Sequence, residues 1–213
     1  MPLSKLIPNA LRLQSSAASA EALARAVIDR FVEHNRAAKV IANDLRVIGV
    51  GLRPVVDHLA FFTANIHKRA AEFTACGYAP KGSGGSMKGS CWHARVYARP
   101  GYPSVMLFEP AAGSKGCVEK WLHAFGEEVP HHLAVKVDNL ENAIFYLEKQ
   151  GIPFAGSALG SKDAKLRQIF ASPDMKDRRP YTVLELTERH GGYEGFVEAH
   201  TCDLLKSFFG NHE

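Results

Sequence analysis

The sequence has few of the features that mark membrane-spanning, fibrous or disulfide-rich proteins. Only four of its 213 residues are cysteine, and they lie far apart without the Cys-x-x-Cys spacing of zinc and redox motifs. No apolar run approaches the about 18 residues that a membrane-spanning helix needs. The 26 Lys and Arg residues barely outnumber the 22 Asp and Glu residues and do not cluster. We therefore predict a soluble, cytoplasmic protein with reduced thiols that binds neither nucleic acid nor membranes.

The overall composition is that of an ordinary globular chain. Apolar residues make up 46% of the sequence and charged residues 23%. A chain of this length and composition can bury a core without disulfides, which excludes a disordered, collagen-like or coiled-coil protein. The net charge of +4 is compatible with a small anionic substrate.

The first quarter of the chain is predicted to be helical. Ser19 is a suitable N-cap, and apolar residues at three- and four-residue steps from Leu23 to Val32 predict an amphipathic helix that ends near His34. A second helix is predicted over residues 37–45. We assign residues 1–54 to an N-terminal helical extension.

Residues 55–112 and 129–190 form an internal repeat, offset by 74 positions. Placing His58 over His132 aligns 28 residues without a gap and gives seven identities. Each copy predicts a strand, a helix that starts after an asparagine and ends at Gly77 or Gly151, and further strands. We predict an α+β fold in which paired βαβββ repeats form a curved mixed sheet around a metal cleft over residues 55–213. A linker helix is predicted within residues 113–128 and a C-terminal helix over residues 195–209.

Each repeat carries a histidine in its first strand and a glutamate in its last strand. His58 and Glu109 are 51 residues apart, and His132 and Glu185 are 53 residues apart. Two such repeats would bring these side chains towards one cleft, and two imidazoles with one carboxylate suit a non-haem iron(II) centre with open positions. The predicted ligands are His58, His132 and Glu185. Glu109 is either a fourth ligand or a neighbouring carboxylate, and strand alternation turns His131 to the opposite face.

Two sets of motifs resemble a known superfamily. His58-Leu59-Ala60, in the first strand of paired βαβββ units, resembles the vicinal oxygen chelate superfamily of glyoxalases and dioxygenases. The last third is similar to the closing motif of 4-hydroxyphenylpyruvate dioxygenase, and this resemblance implies that Glu185 is the third iron ligand and that Gln168 lines the substrate pocket. The segments that carry it are Leu166–Pro173, Asp177–Pro180, Val183–Arg189 and Gly191–Phe196.

A second resemblance covers nearly the whole chain from about residue 25. The chain is similar to the 2-oxoadipate dioxygenase/decarboxylase family, which has a helical prefix of this kind. The resemblance places the metal ligands on His58, His132 and Glu185. That family holds its substrate carboxylate with an arginine four residues after the first ligand, where this chain has Phe62. The segments that carry this likeness are Asn35–Lys39, Val55–Thr63, His131–Leu133 and Gly195–Ala199.

These observations predict an iron(II)-dependent dioxygenase that acts on a 2-oxo acid without an organic cofactor. Zinc, nickel or manganese can take the place of iron in a purified sample. Arg95 is a candidate partner for an anionic substrate, because guanidinium binds carboxylate with two hydrogen bonds. One alternative is a glyoxalase-like lyase or isomerase in which Glu109 or Glu185 moves a proton, and another is a metal-free binding module of the same fold. A homodimer is compatible with the sequence.

Overall fold

The computed structural model describes residues 16–82 and 85–210, so residues 1–15 of the predicted extension lie outside the described part. Its α-helices are α1 (Ser16–His34), α2 (Arg36–Val47), α3 (Ile66–Thr74), α4 (Cys117–Phe125), α5 (Leu140–Lys149) and α6 (Glu198–Phe209). Its strands are β1 (Val56–Phe62), β2 (Ala79–Pro80), β3 (Ser86–Lys88), β4 (Trp92–Ala98), β5 (Ser104–Pro110), β6 (His132–Lys136), β7 (Phe154–Leu159), β8 (Leu166–Ala171), β9 (Asp174–Lys176) and β10 (Arg179–Arg189). A short 3-10 turn, Arg53–Val55, precedes β1.

The described chain divides into two compact units, and each unit contains one repeat. The first unit comprises residues 16–30 and 58–131, and the second comprises residues 31–57 and 132–210. In the first unit the strands are ordered β2-β4-β5-β1, and β3 also pairs with β4. In the second unit the order is β6-β10-β8-β7, and β9 pairs with β10. Both units mix parallel and antiparallel pairs, which confirms the predicted α+β class and the paired repeats.

The two N-terminal helices form where the periodicity predicts them. Leu23, Val27 and Phe31 are no more than 2% exposed, so the predicted apolar stripe of α1 is its buried side. Within the described residues the helix extends from Ser16, so the predicted cap Ser19 lies inside it. Asn35 caps α2, because its side chain accepts a hydrogen bond of 2.9 Å from the backbone N–H of Ala38. None of the described helices has the length and apolarity to cross a membrane.

Both repeats begin with the same arrangement of strand, cap and helix. Asn65 accepts a hydrogen bond from the Lys68 N–H, and Asn139 accepts one from the Asn142 N–H, each with its side-chain oxygen. Gly77 and Gly151, which follow the two helices, have φ angles of 83° and 75°. Side chains with a Cβ rarely adopt this conformation, which explains the glycine at both positions. The sequence-predicted alignment of the repeats is therefore confirmed through residue 151.

Candidate metal centre

His58 lies on β1, on the face of the strand that points away from α3. The opposite face carries Phe61, whose ring centroid is 5.6 Å from that of Phe73 in α3. Because side chains alternate along a strand, His58 and Phe62 share the other face. The side chain of His58 is only 1% exposed. A buried imidazole on the face opposite the packed helix is suitably placed for a ligand.

The second unit places His132 and Glu185 side by side on neighbouring strands. β6 and β10 run parallel, with His132 opposite Val183 and Ala134 opposite Glu185, so the histidine and the glutamate share one face. The Nε2 atom of His132 lies 3.4 Å from Oε2 of Glu185. The two side chains are 4% and 1% exposed. A carboxylate this deeply buried is costly unless a cation or hydrogen-bond donors compensate it.

Glu185 is held by two side chains that bind its other oxygen. Nε2 of Gln168 donates a hydrogen bond of 2.6 Å to Oε1, and the hydroxyl of Thr187 donates one of 2.7 Å to the same atom. The amide oxygen of Gln168 lies 3.3 Å from Nδ1 of His200 on α6. These contacts fix the carboxylate so that Oε2 is turned towards His132. Polar partners of this kind orient metal ligands in proteins.

The three predicted ligands come together in the structure. One ligand atom from each of His58, His132 and Glu185 lies within 4.8 Å of the others, and all three residues are buried. Donor atoms about 2.1 Å from one ion lie about 3 Å apart at right angles and about 4 Å apart when opposite. The limit of 4.8 Å is slightly wider than these values. Two imidazoles and a carboxylate are a ligand set that suits a divalent transition metal.

Glu109, a residue of β5, is not in this group, because its carboxylate lies beside the first residue of α3. Its Oε2 accepts a hydrogen bond of 2.7 Å from the backbone N–H of Ile66, and its Oε1 contacts Nε2 of His93. On β5, Glu109 alternates with Phe108, which is opposite Phe62, so its side chain is on the face opposite His58. This position makes Glu109 a cap of α3 and not the predicted fourth ligand.

The strand registers correct the predicted pairing of Glu109 with Glu185. In the first repeat Ala60 lies opposite Met106, and in the second repeat Ala134 lies opposite Glu185. Since the two alanines correspond, the counterpart of Glu185 is Met106, which is 2% exposed.

Glu109 corresponds instead to Glu188, and the two carboxylates make the same contacts. Glu188 accepts a hydrogen bond of 3.0 Å from the Leu140 N–H, as Glu109 does from Ile66. Glu188 also pairs with Arg167 at 2.9 Å, and Arg167 occupies the place that His93 has beside Glu109. Counting residues from the two histidines gave the wrong pairing, because the second repeat has five extra residues between β8 and β10, in the region of β9.

Arg95, the predicted partner of an anionic substrate, is exposed on β4. It lies opposite Leu107, and that register places it on the face away from His58. Phe62 stands where the similar family has its carboxylate-binding arginine, and it is 1% exposed. Its ring stacks on His131 with centroids 4.1 Å apart and meets Trp121 edge-on at 5.2 Å. The place of the arginine is therefore filled by an aromatic cluster.

Two residues that support the site were missed from the sequence. Thr187 could have been found, because alternation places it on the same face of β10 as Glu185, two positions away. His200 could not, since only the packing of α6 against the sheet of the second unit brings it to Gln168.

Comparison with known proteins identifies the family. Residues 57–170 match the profile of the Glyoxalase/Bleomycin resistance protein/Dioxygenase superfamily, and this match covers more than half of the chain. The chain belongs to this superfamily. The resemblance to the vicinal oxygen chelate proteins is thereby confirmed. The comparison with curated proteins gave no match.

Solved structures of the same superfamily fold are similar over most of the chain. Hydroxyglutarate synthase from Oryza sativa, solved with 2-oxoadipate, has a TM-score of 0.66 and 15% identity over 96% of this chain and 95% of that one. A glyoxalase superfamily protein from Ralstonia eutropha JMP134 has a TM-score of 0.66 and 14% identity over 85% and 87% of the two chains.

A triple mutant of 4-hydroxymandelate synthase from Streptomyces coelicolor has a TM-score of 0.61 and 20% identity over 77% of this chain. This chain spans only 56% of the length of that synthase. At such identities, the likeness to the solved structures shows a shared fold.

Proposed function

We propose that this superfamily member is a non-haem iron(II)-dependent dioxygenase that acts on a 2-oxo acid. The observation that carries the proposal is the buried group of His58, His132 and Glu185, with Met106 at the position that corresponds to Glu185. Two imidazoles and one carboxylate leave three positions of an octahedral ion for substrate and oxygen. An apolar thioether at the symmetry-related position supports three protein ligands in preference to four.

The described side chains would have distinct tasks in such a site. The imidazoles of His58 and His132 and the Oε2 atom of Glu185 would hold the metal. Gln168 and Thr187 keep Oε1 of Glu185 occupied by hydrogen bonds of 2.6 and 2.7 Å, so that the carboxylate presents one oxygen in a fixed direction. Burial of the three ligands limits the access of water, which strengthens electrostatic interactions at the site.

Iron(II), when bound, would supply the oxygen chemistry and the Lewis acidity that oxidative decarboxylation of a 2-oxo acid requires. The similarity in fold to hydroxyglutarate synthase solved with 2-oxoadipate supports this substrate class. The far end of the substrate is expected to differ from that of a dicarboxylate, because the buried Phe62 cannot pair with a second carboxylate. We therefore expect a 2-oxo acid with an apolar or neutral side chain.

Oxygen consumption by anaerobically prepared, iron-loaded protein tests the proposal. The panel should pair 2-oxo acids that have apolar side chains with dicarboxylic 2-oxo acids of similar length. We expect substrate-dependent oxygen uptake with release of carbon dioxide, and none from Glu185→Gln. Turnover of a substrate without oxygen would favour the glyoxalase-like lyase or isomerase. Failure to bind any divalent metal would favour the binding module.

A further inference from the structure

Two cysteines that are distant in sequence meet in the first unit. Cys91 lies just before β4, and Cys117 is the first residue of α4. Their Sγ atoms are 3.9 Å apart, although the two residues are 26 positions apart in the chain. The spacing of the four cysteines gave no indication of this pair, because the approach depends on how the segment before α4 folds back.

The backbone between the strands and α4 is shaped around Cys91. The carbonyl oxygen of Cys91 accepts hydrogen bonds from the Ala111 N–H at 2.9 Å and from the Ser114 hydroxyl at 3.0 Å. A Cβ atom on Gly116 would lie 2.4 Å from Cβ of Cys91 and 2.6 Å from its Sγ. Only glycine allows this approach, so the closeness of Cys91 and Cys117 is set by the backbone as well as by side-chain rotation.

We propose that Cys91 and Cys117 are a modification site that forms a reversible intramolecular disulfide with hydrogen peroxide as oxidant. A disulfide bond is about 2.05 Å long, so the two sulfur atoms must approach by about 2 Å. Rotation of the two side chains about χ1 moves sulfur by distances of this size. The pair lies in a single unit and requires no metal, so the proposal is independent of the dioxygenase function.

The chemistry assigns different tasks to the two thiols. Cys91 is half-buried and Cys117 is buried, so peroxide reaches Cys91 first. The Cys91 thiolate attacks the peroxide oxygen and becomes a sulfenic acid, and the other peroxide oxygen leaves as water after protonation. The Cys117 sulfur then attacks the sulfenic sulfur, its proton is lost, and a second water leaves. The two thiols give up two electrons in total, and the peroxide takes them up.

The position of Cys117 favours this second step. The first turn of a helix carries partial positive charge from its N–H groups, and a sulfur there is stabilised as thiolate. Cys76 is also buried, but it follows the C-terminal end of α3 and gains no such stabilisation. Burial raises the pKa of its thiol, and the nearby Arg99 offsets this only in part. Cys76 should therefore stay reduced under conditions that link Cys91 to Cys117.

Mass spectrometry after peroxide treatment of the reduced full-length chain tests the proposal. We expect the loss of two of the four alkylatable thiols, a linked peptide containing Cys91 and Cys117, and full recovery with dithiothreitol. Cys202→Ser is the control and should form the same link. Cys117→Ser should stop at oxidised Cys91, and Cys91→Ser should resist mild peroxide.

Specific results would overturn the proposal. Conversion of Cys91 to its sulfinic acid in the wild-type chain, with no linked peptide, would show that Cys117 does not resolve the sulfenic acid. Linkage only between two chains would show that the pair does not close within one molecule. Both results come from the wild-type protein, so they do not depend on the folding of a variant.

Discussion

The two repeats have the same helix-side framework but different side chains on the face of the histidines. The shared framework is a carboxylate on the last strand that caps the repeat's first helix and pairs with a cationic or imidazole side chain on the neighbouring strand. Glu109 does this for α3 with His93, and Glu188 does it for α5 with Arg167. The same contact geometry therefore occurs at the first helix of both repeats.

On the face that carries the histidines, the second repeat has more polar side chains than the first. Met106 and Phe108 in the first repeat correspond to Glu185 and Thr187 in the second, and Ala94 corresponds to Gln168. The first repeat thus adds only an imidazole, surrounded by apolar side chains. The second adds an imidazole, a carboxylate and the two donors that hold it. Changes on this face leave the helix-capping contacts intact, which explains how the fold tolerates an asymmetric site.

The largest expected effect comes from removing the carboxylate that breaks the symmetry. Glu185→Gln should abolish divalent metal binding, because a neutral amide oxygen replaces the anionic ligand. His58→Ala and His132→Ala should do the same, whereas His131→Ala should retain metal. Metal content after dialysis, measured by elemental analysis, decides the matter.

Glu188→Gln is the matched control, since it alters a buried carboxylate on the same strand that faces away from His132. It should retain metal. Full metal occupancy in folded Glu185→Gln would remove Glu185 from the ligand set.

The shared framework predicts a second pair of effects, on stability. Glu188→Gln should lower the free energy of unfolding by about 1–3 kcal/mol, because it leaves the buried Arg167 with a weaker partner at the start of α5. Glu109→Gln should cost about 1 kcal/mol, because Glu109 is more exposed, at 19% against 7% for Glu188. Urea unfolding measures both. A larger loss for Glu109→Gln would contradict the proposed equivalence of the two caps.

The donors that hold Glu185 should have a smaller effect on the metal. Thr187→Val removes one hydrogen bond to Oε1 with little change of shape, and Gln168→Leu removes the other. Each should weaken metal affinity by about 10–100-fold, the usual range for residues that orient a ligand. Thr182→Val is a fitting control, because its hydroxyl donates to the His34 carbonyl instead. Equal metal affinity in Thr187→Val and wild type would show that the Glu185 carboxylate needs no such support.

The sequence predicted the elements that depend on local signals. Asn65 and Asn139 as helix starts, Gly77 and Gly151 as left-handed ends, and the strands that carry His58 and His132 were all found in the structure. Such signals act over a few residues, so the order of letters is enough to identify them. The resemblance to the vicinal oxygen chelate superfamily then gave the fold.

What the sequence could not predict depends on register and on tertiary packing. Counting residues from His58 paired Glu109 with Glu185, whereas the additional residues between β8 and β10 shift the true counterpart to Met106. The approach of Cys91 and Cys117 likewise depends on a folded segment with no periodic pattern. Insertions in a hairpin leave the alternation of each strand intact, so the pattern alone does not reveal them.

The smallest expected effect concerns the second ion pair that Arg167 makes in the second repeat. Arg167 binds Glu141 at 2.6 Å as well as Glu188, and hydrogen bonds from Arg167 lower the pKa of Glu141 from 4.5 to about 2. A carboxylate whose pKa is lower in the folded state stabilises the fold above the unfolded pKa and loses this contribution as the pH falls. The contribution of Glu141 should therefore be complete above about pH 5 and decline between about pH 4.5 and 2.

Glu141→Gln should have a flatter profile of unfolding free energy against pH over that interval and match wild type in metal content. Because Glu141 is exposed, solvent screens its ion pair and the difference should be modest. An unchanged slope in Glu141→Gln would show that the pair with Arg167 adds nothing to the cap formed by Glu188.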